Sequence, residues 1–187
     1  MNSPIVKQAN HVPTEQKKIV VAYWLTLARP ERDLFVEMIR ILAAELDAAP
    51  FEPHLSICVA SNTETARDAV KRISVSPIRL RIKGVSVSTK FTKTLFVRFE
   101  RNAALDELNT KLRRAAKVPK GALRDPHVSL LYQRMPMSAK KELASTIRLP
   151  FKEVLFDSIK AVRCSSPMEV PADVNSWRIV ATKRLSG

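Results

Sequence analysis

Apolar residues along this chain recur with two periods, one near 2 and one near 3.6, and the changes between them mark out its elements. Lys18 to Ala28 (KIVVAYWLTLA) is rich in β-branched and aromatic residues and predicts a buried strand. After Pro30, the residues Leu34, Met38, Ile41, Leu42 and Leu46 recur at helical spacing, with Glu31, Arg32, Glu37 and Arg40 facing outward. That helix is predicted to end by Ala49-Pro50. Pro53 to Ala60 (PHLSICVA) then alternates, with His54, Ser56, Cys58 and Ala60 on one face and Leu55, Ile57 and Val59 on the other.

Thr63 is placed to cap a short helix running to Ile73, and two strands follow, over 78–88 and 93–99. Asn102 opens a helix to Ala116 whose apolar stripe is Leu105, Leu108 and Leu112. Beyond the loop from Lys117 to Pro126, the segment His127 to Tyr132 repeats the pattern of the first histidine strand. His127, Ser129 and Leu131 fall on one face, and Tyr132 falls on the other unless the strand ends or bulges before it. Ser138 predicts a cap for a helix to Ile147, and strands over 152–164 and 177–184 close the chain. The order of elements is that of an α+β protein with a weak internal repeat, a histidine strand followed by a helix.

At 187 residues, one domain is expected. Residues 1–17, with His11 among them, read as a flexible N-terminal tail, and 18–187 as a single domain of two lobes. The longest apolar run, Ile19 to Ala28, is about half of the ~20 residues a membrane helix needs, and Met1 to Lys18 lacks an apolar signal core. Cys58 and Cys164 form neither a disulfide framework nor a zinc knuckle. A soluble, cytoplasmic monomer without membrane association is therefore expected.

Charge and glycine content narrow the chemistry. Lys and Arg number 32 against 18 Asp and Glu, a net +14 with pI near 10.2, which favours anionic ligands and predicts non-specific nucleic-acid contact through the basic surface. With only Gly84, Gly121 and Gly187, the chain cannot build a Walker loop or a dinucleotide-binding turn. If it handles phosphate, side chains must do the work.

Those side chains are indicated by a repeated motif. His54 and His127 are each preceded by Pro, followed by an aliphatic residue, and followed at the second position by Ser56 or Ser129. On a strand, residues i and i+2 project from one face about 6.5–7 Å apart. An imidazole can then move a proton while the hydroxyl beside it binds a phosphoryl oxygen. Two such strands facing each other would flank a phosphorus atom with two imidazoles, one taking a proton from water and the other giving one to the leaving oxygen. The bland alternative, two core histidines satisfied by serines, gives no reason for the motif to recur. A zinc site would need further ligands, and neither HExxH nor an acidic cluster is present. No Gly-x-Ser-x-Gly elbow is present either.

At these motifs the chain resembles the 2H phosphoesterase superfamily, and most of all its plant- and yeast-type cyclic nucleotide phosphodiesterase branch. VAYWLTLARPERDLFVEMIRILAAEL, FEPHLSICV, DPHVSLLY and VNSWRIVATKRL are similar to the branch's opening strand and helix, catalytic strands and closing strand. The resemblance implies a bilobal fold in which antiparallel strands line a central cleft and helices lie outside. It implies hydrolysis of 2′,3′-cyclic nucleotides or ADP-ribose 1″,2″-cyclic phosphate to monoesters, with no metal or other cofactor. Carried over by position, His54 and His127 are the acid–base pair, Ser56 and Ser129 bind phosphate, and Tyr132 lies near phosphate or nucleoside. Trp24 and Trp177 stand where the branch also has tryptophan, with base stacking and core packing as their alternatives. Lys93 stands where a glutamine often occurs. The competing readings are a 2′–5′ RNA ligase-like or RNA-end-processing enzyme, and a basic RNA-binding module without catalysis.

Overall fold

A computed structural model describes residues 17–186, so the tail predicted over 1–17, with His11, lies outside the described residues except for Lys17. Among the described residues seven strands form: β1 (Lys18–Leu27), β2 (His54–Ala60), β3 (Ile78–Val87), β4 (Leu95–Phe99), β5 (His127–Leu131), β6 (Glu153–Ser166) and β7 (Arg178–Arg184). Five α-helices accompany them: α1 (Glu31–Glu45), α2 (Ala66–Lys71), α3 (Ala103–Ala115), α4 (Met137–Thr146) and α5 (Pro171–Asn175). The α+β class is that expected. Among the described residues no helix is long and apolar enough to cross a membrane.

Every strand pairing is antiparallel, in the order β1–β2–β5–β4–β3–β6–β7, and β1 also pairs with β6. Six strands therefore close a circuit, with β7 outside β6 as an edge. The sheet divides into two lobes, β2–β1–β6–β7 and β5–β4–β3. At one junction β6 pairs with β3 over four residue pairs, Ile78↔Phe156 to Arg81↔Glu153. At the other, β2 and β5 meet at one pair, Leu55↔Val128. One hydrophobic core continues through both lobes, taking in Tyr23, Leu25, Leu55, Leu80, Val97, Val128 and Phe156.

Capping explains where some helices begin. Asn102 has extended backbone and its side chain accepts the Leu105 N–H, opening α3 where the sequence places it, with Leu105, Leu108 and Leu112 buried. Thr63 does not cap α2: the helix starts at Ala66, with Thr65 at the N-cap. Ser138 lies inside α4, which begins at Met137 after Pro136, whose fixed φ suits a helix entry. The buried face of α1 is also rotated from the predicted stripe. Phe35, Ile39, Leu42 and Ala43 are buried and Ile41 is exposed. Apolar residues extend around so much of α1 that two phases fit the spacing, and the larger Phe35 decides, packing against Phe151 with ring centres 6.1 Å apart. The five-residue α5 falls between two predicted strands. It is held by Asp173, whose carboxylate accepts the Glu169 and Val170 N–H groups and pairs with Lys17 at 2.6 Å.

Candidate active site

The two histidine strands meet at their motifs. Because Leu55 is the partner of Val128 and the strands are antiparallel, the register sets His54 across from Ser129 and His127 across from Ser56. A local two-fold relation runs through the Leu55–Val128 pair, and the four motif side chains lie on one face around it. The opposite face carries Leu55 and Val128 into the core.

Both strands then break their alternation at the same place. Against β1, Tyr23 pairs with Cys58 and Trp24 with Ser56, leaving Ile57 as an extra residue; against β4, Leu95 pairs with Leu131 and Phe96 with Ser129, leaving Leu130 extra. Each bulge lies three residues after the histidine and reverses the face of all that follows. Cys58, Ala60 and Leu131 therefore do not share the histidine face as strict alternation predicts: they turn into the main core. Val59 turns outward, half exposed. Tyr132 is returned to the motif face, where it joins Phe51, Phe91, Val174 and Trp177.

Each imidazole is oriented by backbone. His54 Nδ1 lies 2.7 Å from the Glu52 carbonyl oxygen, and His127 Nδ1 lies 2.8 Å from that of Asp125. A carbonyl only accepts, so Nδ1 is the protonated nitrogen in both rings and Nε2 is left with its lone pair when the ring is neutral. The same two residues carry a feature that the sequence reading missed. Glu52 binds Lys160 at 2.6 Å and Arg32 at 2.9 Å, and Asp125 binds Lys93 together with Arg98, the latter at 3.1 Å. The motif is thus acid-Pro-His-x-Ser, and each acid holds one lysine and one arginine. The signal was present as Glu52 and Asp125 two positions before the histidines. Its cations are scattered over α1, β4, β6 and the turn Phe91–Lys93, so only the fold assembles them.

The two halves differ in their surroundings. His54 is 6% exposed and stacks on Trp24 with ring centres 3.7 Å apart, while Trp177 meets both rings edge-on, at 5.6 Å from His54 and 4.8 Å from Trp24. Trp24 is buried and Trp177 half-buried, so of the two only Trp177 offers surface to a ligand. His127 is half-buried and has Phe96 at its edge. Ser56 is exposed, whereas Ser129 is buried and donates to the Thr92 carbonyl at 2.9 Å. Tyr132 stacks on Phe51 with centres 4.1 Å apart.

Burial lowers the pKa of His54 to about 4; the Glu52 carbonyl and carboxylate oppose this, and the charges of His127 and Lys160 add to it. Burial also lowers that of His127, opposed by the Asp125 carbonyl and carboxylate and reinforced by Lys93 and Lys90. Partial burial raises the Asp125 carboxyl, but Lys93 and Arg98 outweigh it and hold the group below its ordinary value. Burial raises the Tyr132 phenol, against a weaker opposing effect of the Ser129 hydroxyl. Among the described residues, no group of three or more His, Cys, Asp and Glu side chains could hold a metal ion.

Solved structures share this architecture. Escherichia coli LigT complexed with 3′-AMP matches with a TM-score of 0.55 and 13% identity, over 92% of this chain and 100% of that one. LigT complexed with ATP gives 0.53 and 14% over the same shares. TT0787 of Thermus thermophilus gives 0.55 and 16%, over 89% of this chain and 97% of that one. No protein-family model and no curated protein matches the sequence. At these identities the likeness is one of fold, and the bilobal α+β fold of this chain is that of LigT.

Proposed function

We propose that this chain is a phosphoesterase of the two-histidine kind, hydrolysing 2′,3′-cyclic nucleotides or ADP-ribose 1″,2″-cyclic phosphate to phosphomonoesters without a metal. The observation that carries this reading is the Leu55–Val128 pair, which sets His54 opposite Ser129 and Ser56 opposite His127, with both Nδ1 atoms engaged by backbone carbonyls. The fold shared with LigT, a protein crystallised with 3′-AMP, supports a nucleotide ligand.

In this reading one neutral Nε2 takes a proton from water as its oxygen bonds to phosphorus. The other ring, as imidazolium, gives its Nε2 proton to the ribose oxygen that departs. One P–O bond forms, one breaks, and the proton count balances. Ser56 and Ser129 hold non-bridging oxygens, Ser129 by rotating its hydroxyl away from Thr92. His54, deeper and with the lower pKa, is the base. His127, more open and beside the Asp125 carboxylate, is the acid, and a phosphate monoanion between the rings favours the charge it must carry. Tyr132 lines the phosphate side of the cleft, and Trp177 offers a face to the nucleoside.

The test is turnover of a 2′,3′-cyclic mononucleotide in excess EDTA. Wild type is expected to produce a monophosphate, and His54→Ala and His127→Ala to lose about 10²–10⁴-fold in rate each. An aryl phosphodiester, whose leaving group needs no proton, should restore much of the loss in His127→Ala and none in His54→Ala. No wild-type turnover of the cyclic mononucleotide or of an RNA 2′,3′-cyclic end would leave the binding-module reading instead. Turnover of the RNA end alone would favour RNA-end processing.

A further inference from the structure

On the outer side of β2, away from both histidines, α2 packs against α3 and against edge strand β7. Three depressions cross this face. A cavity of about 840 Å³ between α3 and the loop after it is lined by Arg101, Arg113, Arg114 and Lys120. A second, of about 470 Å³, lies between α3 and the end of α2 and is lined by Arg72, Lys111 and Arg114. A third, of about 310 Å³, lies between α2 and β7 with Arg67, Lys71 and Lys183 on its walls. Arg114 borders the first two, and Lys183 links the second to the third by donating to the Lys71 and Ile73 carbonyls at 2.8 and 2.6 Å.

Carboxylates are nearly absent from this line. Asp106 borders the first depression and is held by Arg101 at 2.8 Å; the other two have no acidic wall, although Lys111 of the second reaches Glu107 at 2.6 Å. Among the described residues Arg67, Lys71, Arg72, Arg114 and Lys120 make no ion pair. A single exposed cation is simply solvated. A row of them in connected concavities sums its potential and focuses it along the row. The ligand that matches such a row carries regularly repeated negative charge and is narrow enough to lie in a groove. A membrane surface is broad, and it would meet the rims rather than the concave walls.

We propose that the α2–α3–β7 face is a docking track for the phosphodiester backbone of RNA, separate from the catalytic cleft. The track recruits long substrates whose ends the cleft then processes, and in that role alone it rests on the function proposed above. Binding by the track itself does not require the cleft to be active.

The experiment uses the full chain and a fluorescent single-stranded RNA of about 20 nucleotides, with and without a 2′,3′-cyclic end. Lys71→Gln/Arg72→Gln/Arg114→Gln removes three exposed cations. Affinity is expected to fall at least about tenfold, and the slope of log K against log salt to become shallower by about 2, from ~0.7 per phosphate contact. Turnover of a cyclic mononucleotide should be unchanged. Unchanged affinity and slope would overturn the track, as would tighter binding of the wild type to phosphatidylserine vesicles than to RNA. Photo-crosslinking wild type to 4-thiouridine RNA checks the site without any substitution: adducts are expected in residues 67–72 and 111–120, and adducts confined to the cleft strands would contradict it. If turnover of both the mononucleotide and the RNA 2′,3′-cyclic end is absent while the triple variant still loses RNA, the proposed catalysis fails and the track stands.

Discussion

The chemistry proposed for this protein rests on a few side chains that Pro-His-x-Ser, occurring twice, marks in the sequence. Their setting was not legible, because burial is a property of neighbours distant in sequence. His54 is stacked on Trp24, 30 residues earlier, and lies under Trp177, which follows α5, the helix that Asp173 holds. That enclosure has a measurable consequence. The unfolded chain takes up the His54 proton near its ordinary value of 6.5, while the folded chain resists it until about 4. The unfolded state therefore binds more protons between these values. The stability contributed by neutral His54 is fully present above pH 6.5 and is lost as pH falls towards 4, by about 3 kcal/mol in total. The thermal unfolding midpoint is expected to drop between pH 7 and 4.5, and to drop less in His54→Gln. Parallel curves for the two proteins would show that His54 is not held neutral.

At the scale of elements, local signals served where they were sufficient. Asn102 opens α3 because its side chain caps the Leu105 N–H in the way the residue type suggests. Asn102→Ala should lower stability by about 1 kcal/mol, read as a lower urea midpoint at unchanged m-value; no shift would mean that the cap contributes nothing. Local signals failed where tertiary packing decides. The phase of α1 was settled by Phe35 against Phe151, and no residue type announces a bulge at Ile57 or Leu130. The pattern did show where a bulge was needed, since Tyr132 can reach the histidine face only if the alternation breaks first. The matching break in β2 had no such clue, because Cys58 and Ala60 are small enough to suit either face.

For the whole molecule, the histidine pair needs two lobes, and the lobes share one core. Leu80 and Val97 from one belong to the same apolar cluster as Tyr23 and Phe156 from the other, and β6 pairs with strands of both. Neither lobe can lose its packing alone. Unfolding is expected as one transition, with far- and near-ultraviolet circular dichroism melting together; separate midpoints would show that the lobes are independent. The repeat showed two like strand–helix units, and the family resemblance implied two lobes. The sequence could not foretell the closed circuit of strands, because the β1–β6 pairing joins the two ends of the chain and no local pattern encodes so distant a partner.

The backbone carbonyls behind the histidines carry a consequence for heredity. Where a carboxylate side chain fixes an imidazole tautomer, a single codon change to an amide can invert it and abolish activity. Here the oxygens behind His54 and His127 belong to the main chain at Glu52 and Asp125, and every amino acid supplies the same carbonyl. Point mutation can loosen these loops but cannot exchange acceptor for donor, so a substitution at either acid can alter the charge beside the ring while the proton-bearing nitrogen stays the same.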